Sequence, residues 1–192
     1  MIQTTDYPRD IRSTVESLGE LLGKPFDMTK VEIVDRGRPH KREDLKKGQF
    51  GIYIFILGDE ALKIGHAEWN RRLWFGYQQY SPRVDPYTLA SLILQDEAMK
   101  SYDLTEKTIA RWMMETLRRI DVLVDESLGL AAAELIDRAL NYKYTPRYPN
   151  TGIRSEAYGQ WHIMLADRAI LVEKNREGLY PWERRKNQAE ER

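Results

Sequence analysis

Apolar residues recur at helical spacing from Tyr7 to Leu22, with Ile11, Val15, Leu18, Leu21 and Leu22 on one side, and Gly23 and Pro25 stop the pattern. The period then changes. Val31 to Val34 alternates as a strand does, and a polar loop with one proline and two glycines follows it to Gly48. Phe50 to Leu57 and Ala61 to His66 are dense in Ile, Phe and Tyr and are separated only by Gly58, Asp59 and Glu60, which predicts a β-hairpin. Helices are predicted over Trp69 to Tyr80, Tyr87 to Met99 and Thr105 to Leu117. Arg119 to Asp125 then alternates as a strand, and Leu128 to Tyr144 has a helical stripe of Leu128, Ala132, Leu135, Ala139 and Tyr142 closed by Pro146.

This order predicts an α+β fold, in which a small antiparallel sheet made of the hairpin and a third strand packs with helices behind an N-terminal helical extension. Residues 1–49 form the N-terminal helix and basic loop, 50–150 the core with an insertion at about 82–117, and 151–192 a C-terminal extension with a charged tail. Hairpin parity matters for any chemistry. Side chains alternate faces, so Tyr53 and Lys63 share a face only if an odd number of residues loops between the paired strands.

Composition narrows the chemistry. With no cysteine and three histidines, thiolate zinc sites, Cys nucleophiles and His-rich metal centres are excluded or disfavoured, and any metal is expected to be hard and oxygen-bound. The N-terminus is polar where a signal peptide needs an apolar run, and no stretch reaches the length of a membrane span, so a cytoplasmic protein without membrane contact is expected. Net charge is zero, yet its distribution is uneven: Arg36 to Lys47 holds six Lys or Arg against two acids, and Trp69 to Arg83 and Arg138 to Arg154 hold no acid at all. Segregation of this kind can give a neutral chain one basic face for phosphate. Ordinary solvated loops would show the same pattern.

Gly51-Ile52-Tyr53, followed after nine residues by Lys63-Ile64-Gly65, resembles the paired motifs of the GIY-YIG nuclease superfamily, with Lys in place of the second Tyr. Asn70-Arg71-Arg72-Leu73 resembles that family's arginine helix, and Ala131 to Ile136, around Glu134, its glutamate helix. Pro146-Arg147-Tyr148-Pro149-Asn150 is similar to the Pro-x-x-Asn close of the excision-repair branch, with an extra proline and a longer spacing from the glutamate. Restriction-enzyme members resemble the chain further in carrying Lys at the second motif. The resemblance covers Phe50 to Asn150. It implies a Mg²⁺-dependent endonuclease on double-stranded DNA, of restriction type, with Mn²⁺ as a substitute ion.

On that reading Glu134 holds the metal, Tyr53 helps to activate water, Lys63 stands in the second motif, Arg72 contacts the scissile phosphate and His66 assists water or phosphate. Arg71, Lys143, Arg147 and Asn150 are the expected DNA contacts. Elementary chemistry is consistent with this set: a hydrated Mg²⁺ often takes only one or two protein carboxylates, and arginine suits bidentate phosphate contact. Tyr53 would need Lys63 or Arg72 beside it to bring its pKa down from about 10. Each residue also has a bland reading, with Glu134 paired to Arg138 one turn on, Tyr53 a core aromatic, Arg72 a solvated arginine, His66 an exposed strand-end residue and Asn150 a turn residue. Of the aromatics Trp69, Trp74, Phe75, Tyr77 and Tyr80, one at most is expected to meet DNA. The nuclease reading requires Tyr53, Lys63, Arg72 and Glu134 to converge on one solvent-open concave surface. A rival is the same fold without catalysis, acting as a DNA-binding or regulatory protein. A palindrome-cutting enzyme would be a homodimer, matching two-fold DNA with two-fold protein.

Overall fold

A computed structural model describes residues 6–149. Asn150 and the C-terminal extension lie outside them. Helix α1 (Tyr7–Leu21) starts on Asp6, whose carboxylate accepts from the Arg9 amide at 3.3 Å, and carries a proline in its first turn. Then come β1 (Val31–Gly37), β2 (Gln49–Leu57), β3 (Glu60–Glu68), α2 (Arg72–Gly76), α3 (Leu89–Gln95), α4 (Ile109–Thr116), β4 (Arg118–Asp125) and α5 (Leu130–Tyr144).

The four strands form one antiparallel sheet in the order β1-β4-β2-β3. The expected α+β class is observed, with β1 added as a fourth strand along the edge of β4. Strand alternation divides the core in two. Ile52, Ile54, Ile56, Ile64, Ile120, Val122 and Val124 face α1 and α5, meeting Ile11, Val15, Ala133, Ile136 and Leu140. Tyr53 and Phe55 face the other way, into a layer that includes Phe75 of α2, Leu89 and Ile93 of α3 and Met113 of α4. No helix among the described residues is long and apolar enough to cross a membrane.

Two predicted elements differ from expectation. The helix read over Trp69 to Tyr80 is broken into a 3-10 turn (Trp69–Arg71), the five-residue α2 and a second 3-10 turn (Gln78–Tyr80). Tertiary hydrogen bonds compete with helix continuation here: fully buried Gln79 accepts from the Leu89 amide at 3.1 Å, and the Tyr80 hydroxyl accepts from Arg119 at 3.0 Å. The helix read over Tyr87 to Met99 likewise ends at Gln95, and a 3-10 stretch (Glu97–Tyr102) follows.

Hairpin parity has an unexpected solution. Leu57 pairs with Glu60, so the turn holds only Gly58 and Asp59, with Gly58 at φ +61°. An even turn alone would put Lys63 on the reverse face from Tyr53. However, Ile56 pairs with Ala61 and Phe55 with Lys63, which leaves Leu62 as an extra residue in a β-bulge. That residue restores the parity, and Tyr53 and Lys63 share a face.

The first glycine of the hairpin motif has a packing role. A methyl group at Gly51 would meet Phe75 Cε2 at 2.5 Å and crowd Leu45, both buried side chains. Gly51→Ala is therefore expected to destabilise the fold by about 1–3 kcal/mol, as overpacked cores do, read as a lowered midpoint in urea. An unchanged midpoint would mean that α2 and the loop carrying Leu45 can move off the sheet at little cost.

Candidate active site at the edge of β3 and α5

Tyr53 lies at the centre of the sheet and is 1 % exposed. Its ring packs at 5.7 Å from Phe55 and edge-on at 6.0 Å from Phe75. Burial raises its pKa, partly offset by a hydrogen bond from the Trp74 side chain; the Asp137 carboxylate raises it further and Arg119 lowers it. The cation that acts on Tyr53 is thus Arg119, not Lys63 or Arg72. Lys63 is 2 % exposed, and its ammonium donates to the Tyr87 carbonyl oxygen. Desolvation lowers its pKa to about 8, against the pull of Asp85.

His66 stands on the other face, opposite Ile52. Its Nδ1 lies 3.1 Å from Asp137 Oδ2 of α5, and its side chain is one-quarter exposed. The Asp137 hydrogen bond raises the His66 pKa; burial opposes this, while the charges of Asp137 and Glu134 add to it. Asp137 itself is 1 % exposed and also accepts from Asn141 Nδ2 at 3.0 Å. One such carboxylate thus orients the imidazole and is felt at the Tyr53 hydroxyl. At the register position opposite Tyr53 the edge strand carries Gly65, so no side chain fills that place.

The expected single open surface is not formed. Tyr53 and Lys63 lie inside one helical layer, while His66 and the exposed Glu134 belong to the other. Arg72 is exposed, with its guanidinium 5.4 Å from the Trp69 ring centre, and Arg71 is exposed beside it. Two of the expected DNA contacts have intramolecular partners instead. Lys143 Nζ donates to Asp10 at 2.6 Å and to Thr14 at 2.8 Å, tying α5 to α1. Arg147 clasps Glu60 through two bonds of 2.9 and 2.7 Å and reaches Asp96 at 3.3 Å. Asn150 lies outside the described residues.

Asp137 and Asn141 were not singled out in the sequence. The available signal was a carboxylate set among Ala133, Ile136 and Leu140, since a position beside such apolar residues rarely admits an Asp without a partner. Glu134, Asp137 and Asn141 succeed one another at helical spacing, and Asn141 Oδ1 is buried without a hydrogen-bond partner among the described residues. These are oxygen donors of the kind a hard cation takes. Among the described residues no three His, Cys, Asp or Glu side chains stand together as a ready cage, so an ion bound here would rely on water and substrate phosphate for its remaining ligands.

No family model, curated protein or solved structure matches the chain. The GIY-YIG resemblance therefore rests on the residues themselves.

The His66–Asp137 pair yields a titration with a defined sign. Because the folded pKa of His66 lies above its ordinary 6.5, the pair's contribution to stability is complete below that value and is lost as pH rises through the folded pKa. The His66 ring resonance is expected to titrate above 6.5 in the wild type and at a lower pH in Asp137→Asn, where only the charge of Glu134 still opposes burial and Arg138. Identical midpoints in the two proteins would show that Asp137 does not govern His66.

Proposed function

We propose that the chain is a metal-dependent DNA endonuclease whose reacting groups sit where the edge of β3 meets α5. The observation that carries this reading is Asp137, a buried carboxylate 3.1 Å from His66 and electrostatically coupled to Tyr53. Burying a carboxylate is costly, and the arrangement resembles the general one in which an acid orients a histidine for proton transfer. The order of hairpin, arginine-bearing helix, strand and acidic helix is the one the GIY-YIG resemblance implies, but Tyr53 and Lys63 lie on the opposite side of the sheet from Glu134. The single surface required by the motif mechanism is therefore lacking, and the proposal rests on His66, Asp137 and Glu134 without them.

The roles differ from those the motifs alone imply. Tyr53, sealed in the opposite layer and kept protonated by burial, is a core aromatic and not the base. His66, whose pKa is raised from 6.5, is the group that exchanges a proton with the attacking water. Asp137 fixes the ring and favours the imidazolium that results. Glu134, exposed one turn before Asp137, would hold Mg²⁺ or Mn²⁺, an ion that supplies charge neutralisation at the phosphate. Arg72 offers its exposed guanidinium to the substrate backbone.

A second reading, a DNA-binding or regulatory protein without catalysis, is favoured by one specific arrangement: Tyr53 and Lys63 are both buried, and the lysine is bonded to the Tyr87 carbonyl. Supercoiled-plasmid cleavage in Mg²⁺ and in Mn²⁺ decides between the two. Active wild type is expected, with His66→Ala and Asp137→Asn each reducing the rate by about 10²-fold or more at a melting temperature that still reports a folded protein. Glu134→Gln should lose cleavage while keeping DNA affinity, because it removes a negative charge beside phosphate. A wild type that binds DNA yet cuts in neither ion would establish the second reading, and one that neither binds nor cuts would end both.

A further inference from the structure

We infer that the outer face of α2 and the turn before it stacks unpaired nucleobases, so that the DNA recognised by this chain presents a single-stranded segment. The inference rests on the endonuclease reading only for the identity of the substrate and deepens it by naming the substrate class. Trp69, Leu73 and Tyr77 recur every four residues and are 39, 51 and 41 % exposed. Of the three only Leu73 belongs to α2, Trp69 opening the 3-10 turn before it and Tyr77 capping its end; all are exposed where a surface helix ordinarily turns polar residues outward, while Phe75 and Gly76 are buried.

Charge identifies what the stripe fits. The Arg72 guanidinium lies 5.4 Å from the Trp69 ring, and that of Arg42 lies 5.8 Å from Tyr77 and 5.1 Å from Tyr80. Exposed Arg71 adds a third cation, and the Arg42 Nε donor is buried without a hydrogen-bond partner among the described residues. No acidic residue occurs from Trp69 to Arg83, and the three guanidinium groups stand against the exposed Glu43 and Asp44, which lie beside Gly76. Flat aromatic faces interleaved with guanidinium groups match a strand whose bases are apolar and planar and whose backbone is anionic. Paired bases stack on one another inside a duplex and withhold their faces, so an unpaired segment is the form of DNA that the stripe accepts.

The test reads binding without any divalent ion and so does not depend on His66, Asp137 or cleavage. A fluorescein-labelled oligothymidylate and a blunt duplex of equal length are titrated with wild type, Trp69→Leu, Tyr77→Leu and the ring-preserving Trp69→Phe. Oligothymidylate should bind more tightly than duplex, and each leucine variant should weaken it roughly 5- to 100-fold with a smaller effect on duplex. Trp69→Phe should retain most of the affinity, and Leu21→Ala, a change at an exposed apolar residue of α1, should alter nothing. Equal affinity for the two DNAs, or wild-type binding by folded leucine variants, would overturn the inference. So would a wild-type dimer in sedimentation that Trp69→Leu dissolves, since a second copy would then be what covers the face. An inactive protein that still shows the stacking signature would end the endonuclease reading and leave this one standing.

Discussion

A guanidinium sealed inside the fold organises the layer that carries Tyr53. Arg119 of β4 is 0 % exposed, and its donors reach Asp121 at 2.7 Å, the Tyr80 hydroxyl at 3.0 Å and the Phe75 carbonyl at 3.2 Å. Its carbon lies 4.7 Å from the Phe75 ring and 5.5 Å from that of Phe55. A buried ion is tolerated only when its donors are met, because the desolvation cost is several kcal/mol per ion. Meeting them requires Phe75 of α2 and Tyr80 of the following turn to sit against β4. The helix interruption after Gly76 follows from that requirement, and so does the outward stripe of Trp69, Leu73 and Tyr77.

The same network sets the charge state of a second histidine. His40 joins the Tyr80 hydroxyl at 2.8 Å and the Leu117 carbonyl at 2.9 Å, and burial lowers its pKa to about 4. It is therefore neutral in the folded protein at neutral pH. Its contribution to stability is present above its ordinary 6.5 and is lost as pH falls through the folded value. His66 has the opposite sign, since its contribution is lost as pH rises. The two respond oppositely because one has a buried carboxylate as its direct partner and the other has a hydroxyl and a carbonyl.

Much of the architecture was legible because it follows from local pattern. The isoleucines of β2 specify the hairpin, and α5 runs nearly as expected, but its buried face is Ala133, Ile136 and Leu140 and not the predicted stripe, whose Tyr142 is exposed. The bulge was not legible: nothing in Ala61-Leu62-Lys63 distinguishes an extra residue from a regular strand, although that residue decides which way Lys63 points. The fates of Lys143 and Arg147 were hidden for a different reason. Their partners, Asp10 and Glu60, lie 133 and 87 residues away, so a basic stretch in sequence is not a basic face in space. At the site, motif spacing directed attention to Glu134, whereas burial and contact direct it to Asp137. Only the folded chain reveals which carboxylate on a helix reaches a histidine on the neighbouring strand.

The division of the motif residues between two faces constrains any mechanism the chain can run. Tyr53 and Lys63 point into one layer, each no more than 2 % exposed, and His66 into the other, so no single ligand meets all three across the sheet, of which β3 is an edge strand among the described residues. Gly65 occupies the register position opposite Tyr53 on that edge. Of the three polar groups, Tyr53 is held protonated by burial, and Lys63, with its pKa near 8, remains mostly charged at neutral pH. His66 has its pKa raised by its hydrogen bond to Asp137, and it is the partly exposed member of the set. Access to solvent at this edge thus singles out the histidine beside the second motif, whereas the tyrosine of the first is sealed in the core.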